Sequence, residues 1–301
     1  MVTMDTLTYE KIYFSLWEAA QRYGKFTQFR VIGKSHDERM IPMMEIGKGQ
    51  ECVFCIAGIS GTDRQMPGYL LDMVKEYCQT YEAEWKLEEF YDVKQLLDEI
   101  RLCFIPIVNP DGYEVCGKGY SAIRNPVYRQ MLRMQKVPCQ EFSNNARGMD
   151  ISKNFPTSYY TRKRIYQEPA SENETKALIR IMQEYKSKGL LSFCQSQKRI
   201  IYYKQPQAFS YNQKSFRLAR HLKNRTKYRL EKNTWEPEEE RGKGKSTGSL
   251  EQYYGEITKQ PALEIQQPAP SFEECDLKER KEAEYQEIHI LPLEYLFSLM
   301  E

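Results

Sequence analysis

An α/β fold built around a parallel sheet is predicted by three features of the sequence. Two short apolar runs, ECVFCIAGI at 51–59 and LCFIPIV at 102–108, are separated by segments of helical periodicity, and a third run, LLSFC at 190–194, follows another such segment. Strand, helix, strand in that order is the mark of parallel pairing, because parallel neighbours need a crossover long enough to bring the chain back to the same end of the sheet.

The elements follow in order. Tyr9, Ile12, Leu16, Ala19, Ala20 and Tyr23 recur on one face, predicting a helix over 9–23 that stops at Gly24. Strands are expected at 29–33 and 40–46, separated by the polar turn KSHDE. ECVFCIAGI then has the unbroken apolar character of a strand buried on both faces. Met66, Leu70, Met73, Val74, Tyr77 and Tyr81 keep helical spacing, with Pro67 suited to a first turn. A second helix near 93–100 leads into LCFIPIV, which stops at Asn109. Ser171 and Glu174 are spaced as a capping box for a helix carrying Ala177, Leu178, Ile181, Met182 and Tyr185, with Gly189 as its stop. The polar stretch 231–249 has the composition of a mobile surface loop or lid. ILPLEYLFSLM reads as a closing helix packed on the sheet. With no linker and no internal repeat in view, a single domain over 1–301 is expected.

Composition sets limits on function. Hydrophobic residues make up 41% and charged residues 29% of the chain, ordinary for a globular protein. The net charge of +2 is the difference between 44 basic and 42 acidic residues. No block of one sign suggests a nucleic-acid or membrane footprint, so neither partner is expected. The first residues lack a basic start followed by an apolar run, and no stretch approaches the ~20 apolar residues of a membrane span; a cytoplasmic location is the simplest expectation. Eight cysteines are compatible with reduced thiols, several of them inside strand-like runs. Cys52 and Cys55 form a CxxC, but residues three apart on a strand face opposite ways, which argues against a shared metal or redox role.

At NPDGYEV, residues 109–115, the sequence becomes specific. This string after an apolar strand resembles the carboxypeptidase A-like zinc carboxypeptidase family, whose bacterial members include γ-D-glutamyl-L-diamino acid endopeptidases that cut peptidoglycan stem peptides. Further segments match in the family's order. IGKSHDERMIPMMEIGKG resembles its IGxSxxGRxI opening, NNARGMDISKNFP its RGVDLNRNFP, SENETKAL its SEPETxAL, QSQKRIIYY its HSxGxxIYY, TGSLEQYYGE its GGSxxDWxY turn and PALEIQ its xFTIEL strand. The resemblance spans about 29–266 and implies an α/β/α sandwich with a mixed, mainly parallel, eight-stranded sheet. The site would lie at the carboxyl ends of the strands, where ligands of open α/β sheets are expected on physical grounds as well.

The resemblance also assigns roles. The family's zinc is held by His-x-x-Glu after the third strand and by a later His, leaving one position for water. Those positions fall here on Ser60, Asp63 and Gln195. A hydroxyl and an amide are poor ligands beside imidazole, and Asp63 is one methylene shorter than Glu. The resemblance therefore implies that the metal ligands, and with them the zinc cofactor, are lost. Glu264 falls where the general base belongs; its alternative is an ion pair with a neighbouring Lys or Arg. Ser152 and Lys153 stand where the family has the Asn and Arg that bind a terminal carboxylate, and Lys153 keeps the charge without the forked geometry. Arg147 and Arg124 are candidates for the oxyanion arginine, with a surface ion-pair role as the alternative for either, and Leu250 for the floor of the side-chain pocket or, equally, for an ordinary core position. His36, His221 and His289 are the chain's three histidines, none with a second ligand at metal spacing on its own element, and structural roles are expected. Ser60 lacks a nearby His or a G-x-S-x-G elbow, so a serine nucleophile is disfavoured.

Three functions follow. The leading one is a non-catalytic relative that binds a peptide or peptidoglycan-derived fragment. The second is an active metallocarboxypeptidase or stem-peptide endopeptidase using Glu264. The third is a structural or partner-binding protein that makes no use of the crevice.

Overall fold

The computed structural model of this chain describes residues 7–158, 160, 168–204, 208–234, 248–268 and 277–300. The helices are α1 (Tyr9–Arg22), α2 (Met66–Ala83), α3 (Val93–Glu99), α4 (Pro110–Lys118), α5 (Pro126–Met134), α6 (Asn173–Glu184), α7 (Phe209–Arg225), α8 (Leu250–Thr258), α9 (Leu277–Ile288) and α10 (Leu291–Met300). The strands are β1 (Thr27–Lys34), β2 (Met40–Ile46), β3 (Glu51–Ala57), β4 (Lys86–Leu87), β5 (Tyr91–Asp92), β6 (Ile100–Ile105), β7 (Ser187–Gln195), β8 (Arg199–Lys204), β9 (Arg229–Thr234) and β10 (Ala262–Gln267).

Eight strands form one sheet in the order β1-β2-β6-β3-β7-β10-β8-β9, and β4 with β5 makes a separate ribbon. The central β6, β3, β7 and β10 are mutually parallel, β8 and β9 are parallel to each other, and β1-β2, β2-β6 and β10-β8 are antiparallel. The mixed, mainly parallel eight-stranded sheet is therefore as expected.

Strand alternation divides the core in two. Val53 and Cys55 pack with α1, α2, α7 and α10 on one face, whereas Cys52 and Phe54 pack with α6 and α8 on the other. The two cysteines of the CxxC thus face opposite layers, as strand geometry requires.

The sequence and the structure differ at several places. The expected capping box at Ser171 and Glu174 is absent. Glu172 is the N-cap and makes no side-chain cap, while Ser171 Oγ donates to Glu172 Oε1 at 2.7 Å. The first amide of α6 is instead satisfied from far away, Asn173 N donating to His36 Nε2 at 3.3 Å. Gly189 does not end the helix, which finishes at Glu184; it lies inside β7. A Cβ there would sit 1.9 Å from Tyr295 Oη, so glycine is what lets α10 press against the sheet. The strand expected over 102–108 ends at Ile105. NPDGYEV is not only a strand end: Asn109 caps α4, its Oδ1 accepting from Gly112 N at 2.9 Å, with Pro110 in the first turn. The first four residues of the stretch read as a lid, 231–234, belong to β9; 235–247 lie outside the described residues.

Candidate functional site

The carboxyl ends of β3, β7 and β10 open into a crevice of about 410 Å³. After β3 the chain turns sharply, and buried Asn109 ties the turn to its neighbours. Its Nδ2 donates to the carbonyls of Ile59, Ser143 and Asn144 at 3.1–3.3 Å. Gly61 N donates to Ser143 O at 3.0 Å, and a Cβ on Gly61 would fall 2.4 Å from Phe142 O. Only glycine permits this close passage of two backbones.

Ser60, Asp63 and Gln195 all line the crevice. Ser60 Oγ lies 2.7 Å from Thr62 Oγ1. Asp63 is buried, and its Oδ1 accepts from Gln195 N at 2.9 Å. The Gln195 side chain turns onto the chain after Asp63: Oε1 accepts from the amides of Arg64 and Gln65, and Nε2 donates to Gln65 Oε1 at 3.3 Å. Burial pushes the Asp63 carboxyl up to about 7, with Glu264 adding repulsion; hydrogen bonds from the backbone offset only part of this.

Glu264, paired with Ser192 of β7 and Ile201 of β8 in the sheet, also faces the crevice. Tyr203 Oη donates to its Oε2 at 2.6 Å, while the Gln266 amide and the Cys194 thiol, at 3.3 Å, donate to Oε1. Its partners are neutral donors rather than the Lys or Arg weighed from the sequence. A third carboxyl lines the same space. Glu251 accepts from Ser192 Oγ at 2.5 Å and is pushed up to about 7 by burial, followed by repulsion from Glu264.

The remaining sequence candidates separate. Ser152 and Lys153 line the crevice, on a short 3-10 turn capped by Asp150, and both side chains are tied to Asp150. Leu250 is buried in the core beside Phe155 and Tyr254 and does not line the crevice; its neighbour Glu251 does. Arg147 and Arg124 are not among the crevice residues. Arg147 reaches Glu172 at 3.3 Å, and Arg124 N donates to Asp37 Oδ2 at 2.7 Å. Sequence reasoning passed over Glu251, Tyr203 and Cys194. The strand period of two, counted out from Glu264 and its pairing partners, is the signal that bears on the last two.

His36, treated from sequence as a lone histidine, has company. Its Nε2 lies 3.1 Å from Glu172 Oε2, and Glu174 offers a carboxylate oxygen close to both. No helix among the described residues is long and apolar enough to cross a membrane.

Comparison with known proteins places these observations. A family model described as zinc carboxypeptidase matches residues 12–261. Among solved structures, bovine thrombin-activatable fibrinolysis inhibitor in complex with tick carboxypeptidase inhibitor is similar at 15% identity and a TM-score of 0.72, with 97% of each chain covered. Carboxypeptidase A from Helicoverpa armigera is 15% identical with a TM-score of 0.68, covering 98% of this chain and 74% of its own. A metallo-carboxypeptidase from Burkholderia cenocepacia is 11% identical with a TM-score of 0.65, covering 97% and 69%. At these identities the structural likeness speaks for the fold alone. A comparison with curated protein sequences finds no match.

Proposed function

The chain belongs to the zinc carboxypeptidase family, and from that premise we propose that it is a member without hydrolytic activity whose crevice binds a peptide. The observation that carries this reading is the donor set at the family's three ligand positions. Zinc is held by imidazole, thiolate or carboxylate groups with lone pairs free to converge. Here one position offers a hydroxyl and another an amide, and that amide is already bonded to the backbone after Asp63. The carboxyl of Asp63 is engaged by Gln195 N and is held toward its neutral form. This set does not fit a zinc ion.

Glu264 alone is a weak substitute. A general base at this place in the family acts on water whose pKa the metal has brought to ~7; unactivated water stays near 15.7. Tyr203, Gln266 and Cys194 also restrain both carboxylate oxygens. The residual-hydrolysis reading rests on the presence of Glu264 itself.

What remains suits binding. Glu264 supplies a carboxylate within the crevice, which Glu251 also lines, and Lys153, paired with Asp150, stands at its lining with a half-exposed side chain. That arrangement favours a peptide that presents an amino group inward and a carboxylate to Lys153, a description that peptidoglycan stem peptides satisfy. Calorimetric titration with a stem tripeptide ending in a diamino acid tests this: binding is expected for the native protein and weakened about tenfold or more by Lys153→Ala or Glu251→Gln, on the scale of a lost charge-assisted hydrogen bond. Equal affinity in all three proteins contradicts it.

A further inference from the structure

A second polar centre lies outside the crevice, where the loop between β1 and β2 meets the start of α6. His36 Nε2, a carboxylate oxygen of Glu172 and one of Glu174 all lie within 4.8 Å of one another. Glu172 and Glu174 are fully buried, whereas the His36 side chain keeps 13% of its surface exposed, which gives the cluster a route to solvent.

Two independent features show that this centre is short of positive charge. The first is an orphan atom: Glu174 Oε1 is enclosed and has no hydrogen-bond partner, although its other oxygen accepts from Asn145 Nδ2 at 3.3 Å. A buried carboxylate oxygen without a donor or cation is costly. The second is a count of charges. Arg39 serves both Asp37 and Asp111, at 2.8 Å each, and Arg147 serves Glu172. With Glu174 included, and Asp111 close enough to repel it, four carboxyl groups face two guanidiniums and the His36 imidazole.

We infer that His36, Glu172 and Glu174 form a binding site for a divalent transition-metal ion, zinc in the first instance, distinct from the crevice. One imidazole and two carboxylates are donors zinc accepts, and three protein ligands leave further positions for water. The ion neutralises the excess of negative charge and gives the orphan carboxylate a partner. The site joins elements 136 residues apart in sequence, and the ion clamps the β1-β2 loop to the head of α6. An ion on His36 Nε2 takes the place of the Asn173 amide now bonded there.

The test is titration of the chelator-stripped full chain with zinc chloride alone, by calorimetry, using the native protein, His36→Gln, Glu174→Gln and Asp63→Asn. Thermal unfolding with and without zinc provides a second readout and checks that each variant folds. One equivalent per native chain is expected, with Tm raised by the metal. His36→Gln and Glu174→Gln should each weaken binding at least about tenfold, since even outer-shell substitutions cost 10–100-fold, and Asp63→Asn should leave it unchanged. No binding by the native protein overturns the inference, because a proton then fills the role given to the ion. Binding kept in all three variants overturns it by placing the ion elsewhere on the surface. Binding lost only in Asp63→Asn overturns it too, and sinks the metal-free crevice with it.

Discussion

The crevice and the His36 cluster are both polar centres beside an apolar core, but they balance their groups differently. In the crevice, side chains at the family's ligand positions satisfy one another and the adjoining backbone: Ser60 with Thr62, Asp63 with the Gln195 amide, Gln195 with the amides after Asp63. In the cluster, one buried carboxylate oxygen, Glu174 Oε1, has no partner at all. The contrast teaches that the capacity to hold a cation follows from unsatisfied donors rather than from a place in the fold.

The largest expected effect lies in the cluster. Arg39→Met removes the cation shared by two buried carboxylates, and breaking a buried pair from one side costs about 3–5 kcal/mol. Urea unfolding should register that loss; a cost below about 1 kcal/mol would mean that Asp37 and Asp111 are neutral or solvated. In the crevice wall, Gly61→Ala forces a methyl against Phe142 O and should cost about 1–3 kcal/mol by the same measurement. A neutral outcome there would mean that the turn after β3 can move.

Asp63 of the crevice and Glu172 of the cluster should respond to acid in opposite senses. The Asp63 carboxyl is raised to about 7 when folded, above an unfolded value near 3.9. Its folded form holds the proton more tightly, so the stability that Asp63 itself contributes is fully present below about pH 4 and is lost as pH rises toward 7, on the order of 1–4 kcal/mol in all. Asp63→Asn should therefore flatten the stability profile between pH 4 and 7, and an unchanged slope would refute the burial argument. Glu172 behaves in the reverse way. Burial works to raise it, but the His36 imidazole at 3.1 Å, hydrogen bonds from Asn145 and Ser171, and the Arg147 guanidinium bring it down to about 2. The stability it contributes is present above its unfolded value near 4.3 and is lost as pH falls toward 2. Glu172→Gln should remove that acid-side loss.

The smallest effect concerns the loop that carries His36. Glu38 adopts φ 64°, at the place where the family's IGxSxxGRxI pattern has glycine. Side chains other than glycine are strained there by about 1–2 kcal/mol, whereas glycine costs more entropy on folding. Glu38→Gly should thus be neutral to stabilising by about 1 kcal/mol in thermal unfolding, and a clear loss would show that the exposed ion pair of Glu38 with Lys34, at 3.1 Å, matters more than the strain.

Much of this was legible in the residues. The sheet was written in strand-like runs and helical periods, and the crevice in motifs that keep the family's order. Glu264, Ser60, Asp63, Gln195, Ser152 and Lys153 do meet at one crevice. Leu250, for which pocket floor and core were equally open, lies in the core, and a one-residue step along α8 brings Glu251 to the lining instead. Arg147 and Arg124 could not be placed because loop residues carry no periodicity to fix their direction. The His36 cluster was beyond reach for a different reason. Its ligands come from elements far apart in sequence, and the spacing of Ser171 and Glu174 fitted a local cap that the long-range partner His36 displaces.

The most direct test of the central claim is turnover. Incubating the protein with C-terminally varied peptides and with stem peptides, with and without added zinc, and following products by mass spectrometry should give no cleavage above a buffer control. Zinc-dependent cleavage that vanishes in Glu264→Gln would contradict the account, because it would mean that the crevice still activates water.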